Sequence, residues 1–270
     1  MTKKSRAEAS VLGSDVEGVV TIDADRDGAP IHFKELNAAI REAMEGGASK
    51  IVLLNVTGQR YIASTASRDD LYIEIHGTPG NDLAAFLDGP TIEVFGNAQD
   101  MMGNTMNSGK IIVHGNAWDV TGLAARGGMM FIKGSSGYRV GIHMKEYGQT
   151  RPTLVIGGTA KDYLGEYMAG GTVLVLGLGS ESVASPVGIN IGAGIHGGRI
   201  FVRGHVSSEQ LGAGAIIADM TEEDISEVDP LISEFSRHFE VDIKRDWRMF
   251  TKIVPASSRP FSGKYDKTNI

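Results

Sequence analysis

Gly192-Ala-Gly194-Ile-His-Gly197 has the G-x-G-x-x-G spacing with which backbone amides at the start of a helix grip a pyrophosphate. That chemistry requires a strand before the glycines and a helix after them. Here Arg199–Arg203 follows at once and reads as a strand, so the glycines read as a corner of the chain. His76 and His114 occupy equivalent positions of a repeat, with Phe95 between them. Two imidazoles are half of a zinc site, but no carboxylate or further histidine stands at ligand spacing beside them. Asp100, Asp119 and Asp162 form a second column, as calcium ligands do in some repetitive β-structures; Tyr138 interrupts it, and the nonapeptide G-G-x-G-x-D is missing. These aspartates read instead as acceptors for turn amides. Carboxylate pairs that cleave polysaccharides can come from distant parts of a chain, and no spacing here singles one out. The chain has no cysteine, which excludes a disulfide, a thiol nucleophile and any cysteine-held zinc or iron–sulfur cluster. No catalytic, cofactor-binding or metal-ligating residue is therefore expected in it.

What positions these residues is a repeat. Gly77, Gly96, Gly115, Gly134, Gly158, Gly177 and Gly204 each end a short apolar run, at intervals of 19, 19, 19, 24, 19 and 27 residues. Four and two positions before each glycine stand pairs such as Ile73/Ile75, Ile92/Val94, Ile111/Val113, Met130/Ile132, Leu154/Ile156, Val173/Val175 and Ile200/Val202. An apolar column of period two in a unit of fixed length means one strand per unit with one face always buried. Units of about 20 residues cannot bury that face alone and must stack.

A second glycine follows the first by seven residues in four units, at Gly103, Gly122, Gly141 and Gly165. Each would cost a helix about 1 kcal/mol relative to alanine, whereas at a corner glycine supplies positive φ and close backbone approach. The expected fold is mainly β: a right-handed parallel β-helix of about seven units, with three short strands per rung. The leucine/asparagine pattern of the competing leucine-rich solenoid is absent. Met101, Met102, Met106, Met129, Met130, Met144 and Met168 read as gap-filling core.

The flanks have a different texture. Residues 1–14 are expected to be disordered or extended, 15–220 to form the β-helix with an N-terminal αβ cap over 15–70, and 221–270 to form a helix and a wrapping tail. Glu17–Ile22 reads as a strand, Phe33–Met44 as a helix stopped by Gly46–Gly47, and Lys50–Val56 and Gln59–Ser64 as strands. Thr221–Glu240 reads as a helix with Thr221 as N-cap and a break at Pro230. The tail Asp242–Ile270 lacks periodicity.

The net charge of −7, without a basic stripe, argues against nucleic acid and anionic membranes as partners. No apolar run reaches the ~18 residues of a membrane span, and Met1–Ser10 is polar, so a cytoplasmic location is expected.

The stretches His76–Gly122, Gly137–Gly148 (GYRVGIHMKEYG) and Leu164–Gly179 (LGEYMAGGTVLVLGLG), with NVTGQRYIAS and IVPASSRPF on the flanks, resemble the C-terminal domain of the glutamate synthase large subunit, the GXGXG β-helix family. The resemblance runs from about residue 15 to 262. It implies a free-standing version of a domain usually fused behind amidotransferase and flavin domains, where it is a scaffold without catalytic residues. The implied partners are amidotransferase-like and flavin/iron–sulfur chains that convert glutamine and 2-oxoglutarate to glutamate. A scaffold for a related assembly remains open, of the type of N-methylglutamate synthase or of the β-helix chain in formylmethanofuran dehydrogenase and the formyltransferase/hydrolase complex. So does an independent β-helix that acts on or binds carbohydrate.

One outward column bears on docking. Phe95, Phe131 and Phe201 recur at related positions beside Ile112 and Leu174, although the outer faces of solenoids are normally polar. Something must bury this column, and the caps and tail are the first candidates, with a homo-oligomer contact or partner subunits taking what is left.

Overall fold

A computed structural model describes residues 11–12, 17–180 and 185–257. In chain order the elements are β1 (Val11–Leu12), β2 (Val19–Asp23), β3 (Asp25–Arg26), β4 (Ala29–Pro30), α1 (Phe33–Glu45), β5 (Lys50–Thr57), β6 (Tyr72–Thr78), β7 (Thr91–Phe95) and β8 (Lys110–Val113). They continue with β9 (Met129–Ile132), β10 (Thr153–Ile156), β11 (Ala169–Val175), β12 (Gly197–Arg203), β13 (Ala215–Ala218), α2 (Glu222–Phe239) and β14 (Phe250–Pro255). From β2 through β5 to β12 each strand lies parallel to the next, as stacked rungs of a parallel β-helix.

The register is the one the repeat dictates. Ile73, Ile92, Ile111, Met130, Leu154, Val173 and Ile200 are direct partners from rung to rung, and Ile75, Val94, Val113, Ile132, Ile156, Val175 and Val202 form the second line. All of them are fully buried and belong to one core. Each such side chain contributes about 1.5–3 kcal/mol when buried, and a slip of one residue would turn the whole set outward, which fixes the pairing.

The rung does not carry three strands. One side is the regular sheet; the others are turns tied to their neighbours by scattered bridges such as Ala98–Ala117 and Ala160–Val187. In the turn segments alternate residues have positive φ: Met101 (60°), Gly103 (69°) and Thr105 (54°) in one rung, Val120 (60°), Gly122 (74°) and Ala124 (51°) in the next. The alternation sends their amides between rungs. Met101 N donates to Asp119 O (2.9 Å) and Thr105 N to Leu123 O (2.7 Å), while Gly103 N points back to Leu83 O (2.9 Å). The residue between closes within its own rung, Asn104 N to Met101 O at 3.2 Å. The segment Gln59–Ser64, expected as a strand, is the first of these turns, with Tyr61 at φ 59° and Ala63 at φ 55°. Left-handed backbone costs a non-glycine residue roughly 1–2 kcal/mol, so the rung-to-rung hydrogen bonds and the core must hold it in place.

Glycine at the middle of the segment has a second cause. A Cβ on Gly103 would stand 2.5 Å from Met130 Sδ, and at the start of β12 one on Gly198 would stand 2.6 Å from Met168 Cε. Methionines therefore fill the space that glycines of adjoining rungs leave free, and Met102, Met106, Met130, Met144 and Met168 are buried as expected. Met101 and Met129 are only partly buried.

At the start, α1 places Leu36, Ala39 and Ile40 on the end of the core. At the other end, α2 lies along the outer face of the strands. Val228, Leu231, Ile232, Phe235 and Phe239, at helical spacing, pack on Ile112, Phe131, Val155, Leu174 and Phe201 as a second core. The outward apolar column is thus covered by the chain's own helix; Phe131 and Phe201 are buried and Phe95, beyond the helix end, is 41% exposed. The helix does not break at Pro230: the residue and Ser226, whose carbonyl loses its partner, both face solvent. Nor is the tail a structureless wrap, because β14 enters the sheet antiparallel to β12 and β13. The N-terminal expectation for 1–14 and the far tail fall mostly outside the described residues; Val11–Leu12 pairs antiparallel with β2.

Candidate functional surface

Most residues singled out for chemistry are used to tie one rung to the next. Asp100 Oδ1 accepts the Asp119 amide (3.1 Å), Asp119 Oδ1 that of Tyr138 (2.9 Å), and Asp162 Oδ1 that of Ile189 (3.0 Å). The aspartates do bond turn amides, but those one rung further on. Asn97 and Asn116 do the same beside them, accepting from Asn116 N and Ser135 N at 2.8 Å each.

The histidine column is a ring ladder. His76 stacks on Phe95 (5.1 Å between centroids) and Phe95 on His114 (4.6 Å), whose edge meets Phe239 of α2 (5.3 Å). Contrary to the spacing argument, carboxylates do reach both imidazoles. Glu74 Oε1 lies 2.6 Å from His76 Nε2, and Glu93 Oε1 lies 2.7 Å from His114 Nε2. The first pair is two residues apart on one strand face and the second lies diagonally across a rung, a relation that only stacking reveals. Burial opposes the charge of Glu74, but Lys50 (2.6 Å) and His76 hold its carboxyl below the usual carboxylate range. Among the described residues no group of three or more His, Asp or Glu is gathered to hold a metal ion.

The G-x-G-x-x-G glycines are the last turn segment, Gly192 at φ 64° and Gly194 at φ 69°, and β12 begins at Gly197. No helix N-terminus meets them, and Tyr167 covers Gly194: a Cβ there would stand 2.5 Å from its ring.

The turn side presents what the strand side hides. Trp118 is 49% exposed, Tyr138 43% and Tyr167 49%. Trp118 and Tyr138 line a shallow groove of about 460 Å³ with Asp119, Ser136 and Lys161, whose Nζ lies 5.0 Å from the centre of the Tyr138 ring. Arg139 lies over the Tyr163 ring at 4.6 Å and pairs with Glu166, and His143 stacks on Tyr167 at 5.3 Å. Sequence reasoning missed this surface, because without the alternating φ the turn positions show no inward/outward rule.

A model of the GXGXG motif family matches residues 48–256. The chain belongs to the GXGXG motif family, that of the C-terminal domain of the large chain of glutamate synthase. It is also 51% identical over 247 residues to the uncharacterized protein MJ1350 of Methanocaldococcus jannaschii, a match that covers 88% of this chain and 95% of that protein. Glycine at every second position, as in Gly192-x-Gly194, is the sequence form of the alternating positive φ in the turn segments. No described helix is long and apolar enough to cross a membrane.

Proposed function

We propose that this GXGXG chain is a non-catalytic scaffold subunit of a glutamate-synthase-type assembly. Partner chains of amidotransferase-like and flavin/iron–sulfur type then convert glutamine and 2-oxoglutarate to glutamate in the cytoplasm. The observation that carries the reading is the division of labour between the two sides of the rungs. The carboxylates and imidazoles that could do chemistry bond backbone or one another, as Asp119 does with Tyr138 N and Glu93 with His114. Large aromatics, the side chains richest in binding energy at protein interfaces, stand exposed on the turn side at Trp118, Tyr138 and Tyr167. On the strand side α2 covers Ile112, Phe131, Val155, Leu174 and Phe201 and leaves Phe95 exposed, so most of the uncovered aromatic surface is on the turn side.

The test is purification of the tagged chain from its own cells under mild conditions. Co-elution of an amidotransferase-like chain and a flavin/iron–sulfur chain is expected, with glutamate formation by the assembly and none by this chain alone. Stoichiometric flavin bound to the isolated chain, or glutaminase activity from it, would overturn the reading.

A further inference from the structure

The period of nineteen is broken between Gly134 and Gly158, which stand 24 residues apart. The extra residues form a small closed loop in which Tyr147 N donates to Thr150 O and Thr150 N to Tyr147 O, both at 3.0 Å. The loop is seated on the solenoid: Thr150 Cγ2 occupies the space that a Cβ on Gly127 would take. It walls a cavity of about 610 Å³ whose other side is built from the corners of preceding rungs, within the size range of small-molecule sites.

The lining is cationic. Arg126 and Lys145, from successive rungs, both border the cavity. In a chain with 33 acidic and 26 basic residues, neither side chain pairs with a carboxylate among the described residues. The one carboxylate in the wall, Asp88, accepts the Ser108 hydroxyl at 2.7 Å, and Asn107, with its side-chain amide, also lines the cavity. An arginine fork, a lysine point charge and an amide at one concave site are the donors that a carboxylate or phosphate takes up.

We propose that this cavity binds a small molecule through an oxyanion, with Arg126 as the main contact and Lys145 as the second charge. The site is separate from the Trp118/Tyr138 surface and does not depend on the scaffold reading. It gives a role to the first of the two lengthened intervals, of 24 and 27 residues: the loop supplies the wall that a plain rung lacks.

The full-length chain is titrated with inorganic phosphate and with succinate, by calorimetry and thermal shift, against potassium chloride at equal ionic strength. Saturable binding of either probe is expected; phosphate alone would point to a phosphate-bearing ligand and succinate alone to a carboxylate. Arg126→Gln should weaken it on the order of tenfold, and Lys145→Gln less, with melting of the free protein unchanged because both residues are exposed. No saturable signal by about 10 mM of either probe, or equal affinity in Arg126→Gln, overturns the proposal.

Discussion

Lys252 Nζ stands 2.6 Å from Asp224 Oδ2, which joins β14, the last strand in chain order, to the first turn of α2. The same carboxylate oxygen accepts Thr221 N (2.8 Å) and Thr221 Oγ1 (2.7 Å), and Arg199 of β12 lies 3.9 Å from its other oxygen. Asp224 is 1% exposed. One buried carboxylate therefore caps the helix and anchors it to two strands.

Asp224→Asn should lower stability by about 3 kcal/mol, since it leaves the largely buried Lys252 ammonium without its partner and weakens the capping box. Burial works against the charge of Asp224, but Lys252 and Thr221 hold its carboxyl below the ordinary aspartate range. In that window the unfolded chain binds more protons, so this contribution is complete above the ordinary aspartate pKa and fades as pH falls through the lowered one. Urea titrations across acidic pH should show a shallower pH slope in the variant. An unchanged slope would mean that another group controls acid unfolding.

Ile111→Asp places an unpaired carboxylate between rungs and should leave no cooperative transition in urea. Glu93→Gln, on the other face of the neighbouring strand, should cost about 1 kcal/mol, because Glu93 bonds both His114 and Tyr72. A soluble, cooperative Ile111→Asp protein would show that the column does not carry the fold.

Phe235 touches both the outer strand column and Gly157, where a Cβ would stand 2.6 Å from its Cζ. Phe235→Ala should destabilise by about 3–5 kcal/mol and uncover Phe131 and Phe201 to a hydrophobic dye. Less than about 1 kcal/mol without dye binding would indicate that α2 is held by its polar links alone.

Trp118→Asp combined with Tyr138→Asp should weaken partner association at least tenfold while the isolated chain melts as before, by pull-down and calorimetry. Phe95→Asp, on the strand side, serves as the contrast. Normal assembly in the double variant with loss in Phe95→Asp would move docking to the His76–Phe95–His114 ladder.

The strand core was legible in the sequence because stacked rungs repeat one local rule: the position relative to Gly77, Gly96 or Gly115 decides whether a side chain faces in or out. The Thr221 cap and the apolar stripe of α2 were legible for the same local reason, and the unusual column of Ile112, Phe131 and Phe201 announced that a cover was needed. Tertiary structure alone decided which cover came, since Phe235 and Phe131 are over a hundred positions apart in a chain numbered to 270 and meet only when α2 folds back. It also decided the turn side. There Tyr61, Met101 and Val120 adopt a left-handed backbone that L-residues avoid on their own, held by hydrogen bonds that exist only when the next rung is present. Local preference argued against that conformation, and the stacking interactions outweighed it.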